Sequence, residues 1–129
     1  MRIDKLHLNS FKNLSDFDID FDETSPKQVL VGRNGVGKSN VLEAITRIFR
    51  DINLDEDTEF EYKIDYECNN IVLQIINKQT NIEECKVNKF AKPKFQKSYY
   101  KKEKVLKKIS KKEFTKNKHL YTISNCILL

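Results

Sequence analysis

Two hydrophobic periods alternate along this chain, and the switches between them mark its elements. Residues 3–11, IDKLHLNSF, read as a first strand. Beyond a turn around Asn13, the stretch SDFDIDFD sets Phe17, Ile19 and Phe21 against alternating acids, which predicts a strand with one face in the core and one in water. After a loop through Pro26, QVLV (28–31) is a short continuous apolar run of the kind found in a strand buried on both faces. The period then changes: Val41, Leu42, Ala44, Ile45, Ile48, Phe49 and Ile52 recur at helical spacing, so SNVLEAITRIFRDI predicts an amphipathic helix.

Past the acidic loop DINLDEDT the period of two returns. In EFEYKIDYEC, Phe60, Tyr62, Ile64, Tyr66 and Cys68 share one face, and Glu59, Glu61, Lys63, Asp65 and Glu67 the other. Asn69 and Asn70 predict a tight hairpin turn, and NIVLQII, a turn over 78–81 and IEECKV complete an antiparallel meander. AKPKFQ is a connector, because Pro93 donates no ladder hydrogen bond and disfavours helix at Lys92. SYYKKEKVLKKISKKEF predicts a weakly amphipathic helix with Val105, Leu106 and Ile109 on its apolar side, followed by a strand-like LYTISNCILL. A chain stopping on apolar residues is expected to be cut within a domain.

Composition narrows the class. A chain of 129 residues buries roughly two thirds of its unfolded surface, enough for one core. No apolar run approaches a bilayer span and the start has no signal-peptide order, so a cytoplasmic location without membrane contact is expected. Cys68, Cys85 and Cys126 are odd in number and form no CxxC pair, so reduced, packed thiols are expected. The net charge of +5 hides a division: residues 1–85 hold 10 Lys or Arg against 17 Asp or Glu, whereas residues 86–129 hold 14 Lys against Glu103 and Glu113. The asymmetry suggests that the basic third meets an anionic partner, such as nucleic acid, or docks on an acidic protein surface; a solvated lysine-rich helix, or one paired with the acidic half of the chain, is the plain alternative.

Candidate chemistry is concentrated at residues 32–39. GRNGVGKS fits G-x-x-x-x-G-K-[ST], between an apolar run and a helix. The glycines permit a sharp turn that presses backbone N–H groups on phosphate oxygens, Lys38 adds charge near the β and γ phosphates, and the Ser39 hydroxyl can ligate Mg²⁺. The helix start adds the positive end of its dipole. Elsewhere the signal is weak. Asp16, Asp18, Asp20 and Asp22 lie about 6.5–7 Å apart along one strand face, too dispersed for one ion, and read as a solvated face. His7 and His119 have no Cys or His partner at ligand spacing and read as surface or packing residues.

HLNSFKNLSDFDIDF followed by QVLVGRNGVGKSNVLEAI resembles the N-terminal start of ATPases of the SMC, RecF and OLD type, relatives of the ATP-binding cassette. The resemblance covers residues 1 to about 50; residues 58–88 match only in style. It implies an α/β fold, a P-loop NTPase half-lobe with a mixed sheet around the P-loop helix, an antiparallel meander and a basic C-terminal helix. The lobe would occupy 1–88, with 89–129 a lysine-rich helix and terminal strand of the same shortened domain. The resemblance implies ATP and Mg²⁺ as ligands, held by Gly32, Asn34, Gly35, Val36, Gly37, Lys38, Ser39 and Asn40, with Ser39 on the metal and Asn34 near the γ-phosphate. For Lys12, contact with phosphate or base and a simple exposed turn lysine both stand; so do phosphate and solvent for Arg33.

The sequence also departs from that family. No apolar run ends in Asp-Glu, the Walker B pattern that serves hydrolysis, no LSGG-like signature occurs, and no catalytic residue is assigned. The expected function is an ATP-binding lobe for DNA repair or antiviral defence, hydrolysing ATP only within a longer parent or beside a second ATPase subunit. The alternative is a non-catalytic interaction module that binds protein or nucleic acid through its basic third, where Tyr99 and Tyr100 could stack on bases.

Overall fold

Two tight turns set the registers of the sheet. β1 (Arg2–Phe11) and β2 (Leu14–Asp20) meet through Lys12 and Asn13, with Lys12 at a φ of 54°. After α1 (Lys38–Leu54), β3 (Tyr62–Cys68) and β4 (Ile71–Gln79) meet through Asn69 and Asn70, at φ of 52° and 62°. Two consecutive left-handed residues match the right-handed strand twist, so the expected Asn-Asn hairpin forms. β5 (Phe95–Lys102), β6 (Leu106–Ile109) and a short α2 (Lys111–Lys116) follow. The structure, a computed structural model, describes residues 1–25, 27–79, 95–102 and 106–116.

The six strands form one sheet in the order β2-β1-β3-β4-β5-β6, and every pairing is antiparallel. Because side chains alternate faces, the registers line up one apolar row across it: Ile19, Leu6, Ile64, Ile75, Tyr99 and Ile109. α1 supplies Val41, Ala44, Ile48, Phe49 and Ile52 to the same buried cluster. Phe49 meets Tyr66 edge-on at 5.3 Å between ring centroids, and Phe11 packs on Phe60 at 4.6 Å. Leu42, expected on the apolar stripe, faces outward. Helix α1 ends on Asp55 at a φ of 58°, whose N–H returns to the Asp51 and Ile52 carbonyls.

Three expectations about the elements are corrected. The sheet is not mixed: its described strands are antiparallel throughout, with one long helix on one face, so the architecture is a helix-covered antiparallel sheet rather than a P-loop helix inside an α/β sheet. QVLV is not a strand; Val29 and Val31 are exposed, and only Leu30 of the apolar three leans on the core. A strand needs a neighbour for its N–H and C=O groups, and no described strand lies beside this run. The basic helix expected over 98–114 is instead β5, β6 and only the six residues of α2. β4 offers an open edge, and β5 satisfies it along the whole register from Val72 opposite Lys102 to Gln79 opposite Phe95, which outweighs the weak local preference for helix.

Two lysines of the basic third meet the acidic loop that follows α1. Lys97 donates to the Glu56 carbonyl in the acidic loop, and Lys111 Nζ lies 3.4 Å from Asp55 Oδ1. Burial lowers the Lys97 pKa against the opposing pull of Asp51 and Asp57. Asn77, 1% exposed, pins the same loop by donating to the Thr58 and Phe60 carbonyls at 3.0 and 2.7 Å. Cys68, expected as a reduced thiol, is disulfide-bonded. IEECKV, LYTISNCILL and the expected boundary at residue 88 lie outside the described residues. Among the described residues, no helix is long and apolar enough to cross a membrane.

Candidate nucleotide-binding loop

The described residues from Phe21 to Gly37 follow no regular element, and the two glycines that close this stretch explain why helix α1 begins where it does. Gly35 has a φ of 85° and Gly37 of 103°, a region L side chains rarely enter. Gly37 is the N-cap of α1: its carbonyl accepts the Val41 N–H at 2.9 Å, and no side chain caps the helix start. A Cβ on Gly37 would lie 2.8 Å from Leu14 Cδ2 and 3.2 Å from Asn13 Oδ1, so this glycine allows the loop to seat on the β1–β2 turn. At Gly35 a Cβ would meet nothing within 4 Å.

Asn13 locks that seat. Its Oδ1 accepts from Asn40 Nδ2 at 2.5 Å, and its Nδ2 donates to the Gly35 carbonyl at 3.4 Å. Lys38 folds over the loop, donating from Nζ to the Gly32 carbonyl at 2.5 Å and the Arg33 carbonyl at 2.7 Å. Together Asn13, Asn34, Gly35, Gly37, Lys38, Ser39 and Asn40 line an open cavity of about 320 Å³. No acidic residue stands in the first turn of α1. Free N–H groups, a lysine ammonium, the Ser39 hydroxyl and amide donors therefore converge on one space, with the positive end of a helix dipole behind them. Such a donor set suits a phosphate chain, and its hydroxyl suits the Mg²⁺ that accompanies one.

The sequence-derived candidates divide. Asn34, Gly35, Gly37, Lys38, Ser39 and Asn40 are brought together around the cavity. Gly32 sits beneath the Lys38 side chain, where a Cβ would stand 3.9 Å from Nζ and 3.2 Å from Val36 Cγ2, while the Val36 side chain is exposed. Lys12 does not line the cavity. It pairs with Glu43 of α1, whose carboxyl it holds below the usual range, and Arg47 Nε stands 3.6 Å from the same carboxylate. Arg33 is exposed, and its carbonyl holds Lys38. Asn13 is the residue that sequence reasoning missed, since its partners lie 22 and 27 positions away and only the packing of the turn under the loop brings them near.

A glycine-hinged loop before an uncapped helix start, with a lysine folded across it, has the geometry and donors that can receive a phosphate. The chain belongs to the AAA ATPase domain family, whose model matches residues 1–127. It is 40% identical over 65 residues to the DNA replication and repair protein RecF of Synechococcus sp. (strain JA-2-3B'a(2-13)), covering 49% of this chain and 17% of that protein. It is 38% identical over 69 residues to the RecF of Microcystis aeruginosa (strain NIES-843 / IAM M-2473), covering 46% of this chain and 18% of that protein. The chain thus spans less than a fifth of either relative.

Proposed function

We propose that this chain is the ATP-binding lobe of an ATPase acting in DNA repair, and that residues 32–39 grip Mg-ATP. The observation that carries the reading is the Lys38 ammonium, held on the Gly32 and Arg33 carbonyls beside the open start of α1. Two carbonyls leave that charge uncompensated, so a phosphate entering the cavity gains a cation already in place. Backbone N–H groups at the helix start bind the phosphate oxygens, Asn34 and Asn40 add amide donors from the rim, and Ser39 is the residue that would hold Mg²⁺. Mg²⁺, when bound, neutralises charge on the β and γ phosphates.

Among the described residues that line the cavity none is a carboxylate, so on this reading a water-orienting acid for hydrolysis would have to come from another segment or subunit. Gln28–Val31 supports that division. Val29 is 83% exposed and Val31 89%, while the intervening Leu30 packs on the core, the alternation of a strand in want of a neighbour. A second lobe would supply that strand. The repair assignment rests on the RecF relatives, whose name favours repair over antiviral defence. The interaction-module alternative is weakened because Lys97 and Lys111 of the basic third are engaged with the acidic loop.

Calorimetric titration with ATP and Mg²⁺ tests the reading. Micromolar binding is expected, with at least tenfold loss in Lys38→Ala. A folded wild-type chain that binds no nucleotide, or a Lys38→Ala variant that binds equally well, would overturn it.

A further inference from the structure

The face of the sheet away from α1 carries a constellation that strand spacing along β2 alone does not reveal. The β1–β2 register sets His7 directly opposite Asp18, and His7 Nδ1 lies 2.9 Å from Asp18 Oδ1. Asp16, two residues back along β2, joins them. One ligand atom from each of His7, Asp16 and Asp18 falls within 4.8 Å of the others. The acids of β2 are thus not an even solvated row. Lys5 takes Asp20 at 2.8 Å, and Asp22 accepts the Thr24 N–H and hydroxyl at 2.8 and 2.6 Å. Among the described residues, neither Asp16 nor Asp18 forms an ion pair with a lysine or arginine, so two carboxylates face one imidazole, with Lys63 opposite His7 on β3 as the neighbouring cation.

We propose that His7, Asp16 and Asp18 form a surface site for a divalent transition-metal ion, separate from the nucleotide loop. One imidazole nitrogen and two carboxylate oxygens make a mixed donor set that suits Mn²⁺ or Zn²⁺ better than the all-oxygen preference of Mg²⁺ and Ca²⁺. Ligand atoms around such an ion, each about 2.1 Å from it, stand roughly 3.0–3.4 Å apart. Both aspartates are exposed, so side-chain rotation is the motion open to them for closing the present spacing. His7 is half-buried and fixed on β1, so it anchors the site, and water completes the coordination. A bound ion would cross-link β1 to β2, the hairpin whose turn carries Asn13 beneath the phosphate loop.

Manganese is the suitable probe, since thiols compete for it less than for zinc and its paramagnetism broadens nearby amide signals. Mn²⁺ added to the nucleotide-free chain is expected to broaden the amides of Leu6–Leu8 and Phe17–Ile19 first and saturably. His7→Ala and Asp16→Asn should each weaken this at least tenfold, while Asp20→Asn, in an acid already paired with Lys5, should not. Broadening that is no stronger here than along the acidic loop at 55–57, or that survives His7→Ala, would overturn the site. All three substitutions are at solvent-accessible positions, and unchanged spectra elsewhere establish that the variants fold.

Discussion

The seating of the 32–37 loop on the β1–β2 turn predicts that two glycines of similar backbone geometry will differ sharply in cost. Gly35 and Gly37 both have positive φ, so alanine at either incurs roughly 1–2 kcal/mol of backbone strain. At Gly35 the new methyl enters open space and the loss ends there. At Gly37 it would lie 2.8 Å from Leu14 Cδ2, and Leu14 is buried in the core. Overpacking of this kind adds about 1–3 kcal/mol. Gly37→Ala is therefore expected to lower unfolding stability by about 2–5 kcal/mol and Gly35→Ala by about 1–2 kcal/mol. Equilibrium urea unfolding followed by circular dichroism measures both, with an unchanged denaturant slope confirming the same transition. A Leu14→Ala background should remove most of the difference, since it takes away the atom that the methyl strikes. Equal losses in the two single variants, or no coupling between Gly37→Ala and Leu14→Ala, would refute the seating.

Further expectations follow from buried polar groups. Asn77→Ala removes both bonds to the 58–60 loop and leaves two carbonyls unpaired; the expected loss is about 2–3 kcal/mol by urea unfolding. An effect under half of that would mean the loop is held elsewhere. Burial pushes the Tyr99 phenol up to about 12, and the Tyr62 phenol further in the same direction. Both favour the protonated form in the native state, so their contribution is complete below the ordinary tyrosine value of 10.0 and is lost as pH rises through the folded values. Ultraviolet titration should show these two phenols ionising only at the high-pH end, together with unfolding. Ordinary ionisation of every tyrosine in the folded chain would contradict that burial.

Much of the fold was legible because its signals are local. Phe17 and Ile19 alternate with aspartates, Tyr62, Ile64 and Tyr66 with charged residues, and the structure makes strands of both stretches. Asn69-Asn70 turned as two residues tolerant of positive φ turn. The segments that misled are those whose state depends on a distant neighbour. Three apolar residues in QVLV promised a buried strand, but an isolated strand has no hydrogen-bond partner and Val29 and Val31 remain in water. The lysines around Tyr99 promised a helix, yet that residue lies opposite Ile75 on one side and Ile109 on the other, so pairing across the sheet prevailed over local spacing.

The same division holds for the sites. The sequence by itself marked residues 32–39 as the candidate loop, because glycines tolerant of positive φ, a lysine and a hydroxyl at fixed spacing meet a requirement that one short stretch of backbone can satisfy. Only the tertiary structure decided that Asn13 buttresses that loop, that Lys12 is spent on Glu43, and that His7 stands over Asp18. The physical reason is the register of β1 against β2 and of that hairpin against α1. Residues far apart in sequence become neighbours through shared hydrogen bonds and packing, and no local pattern specifies which side chains then meet.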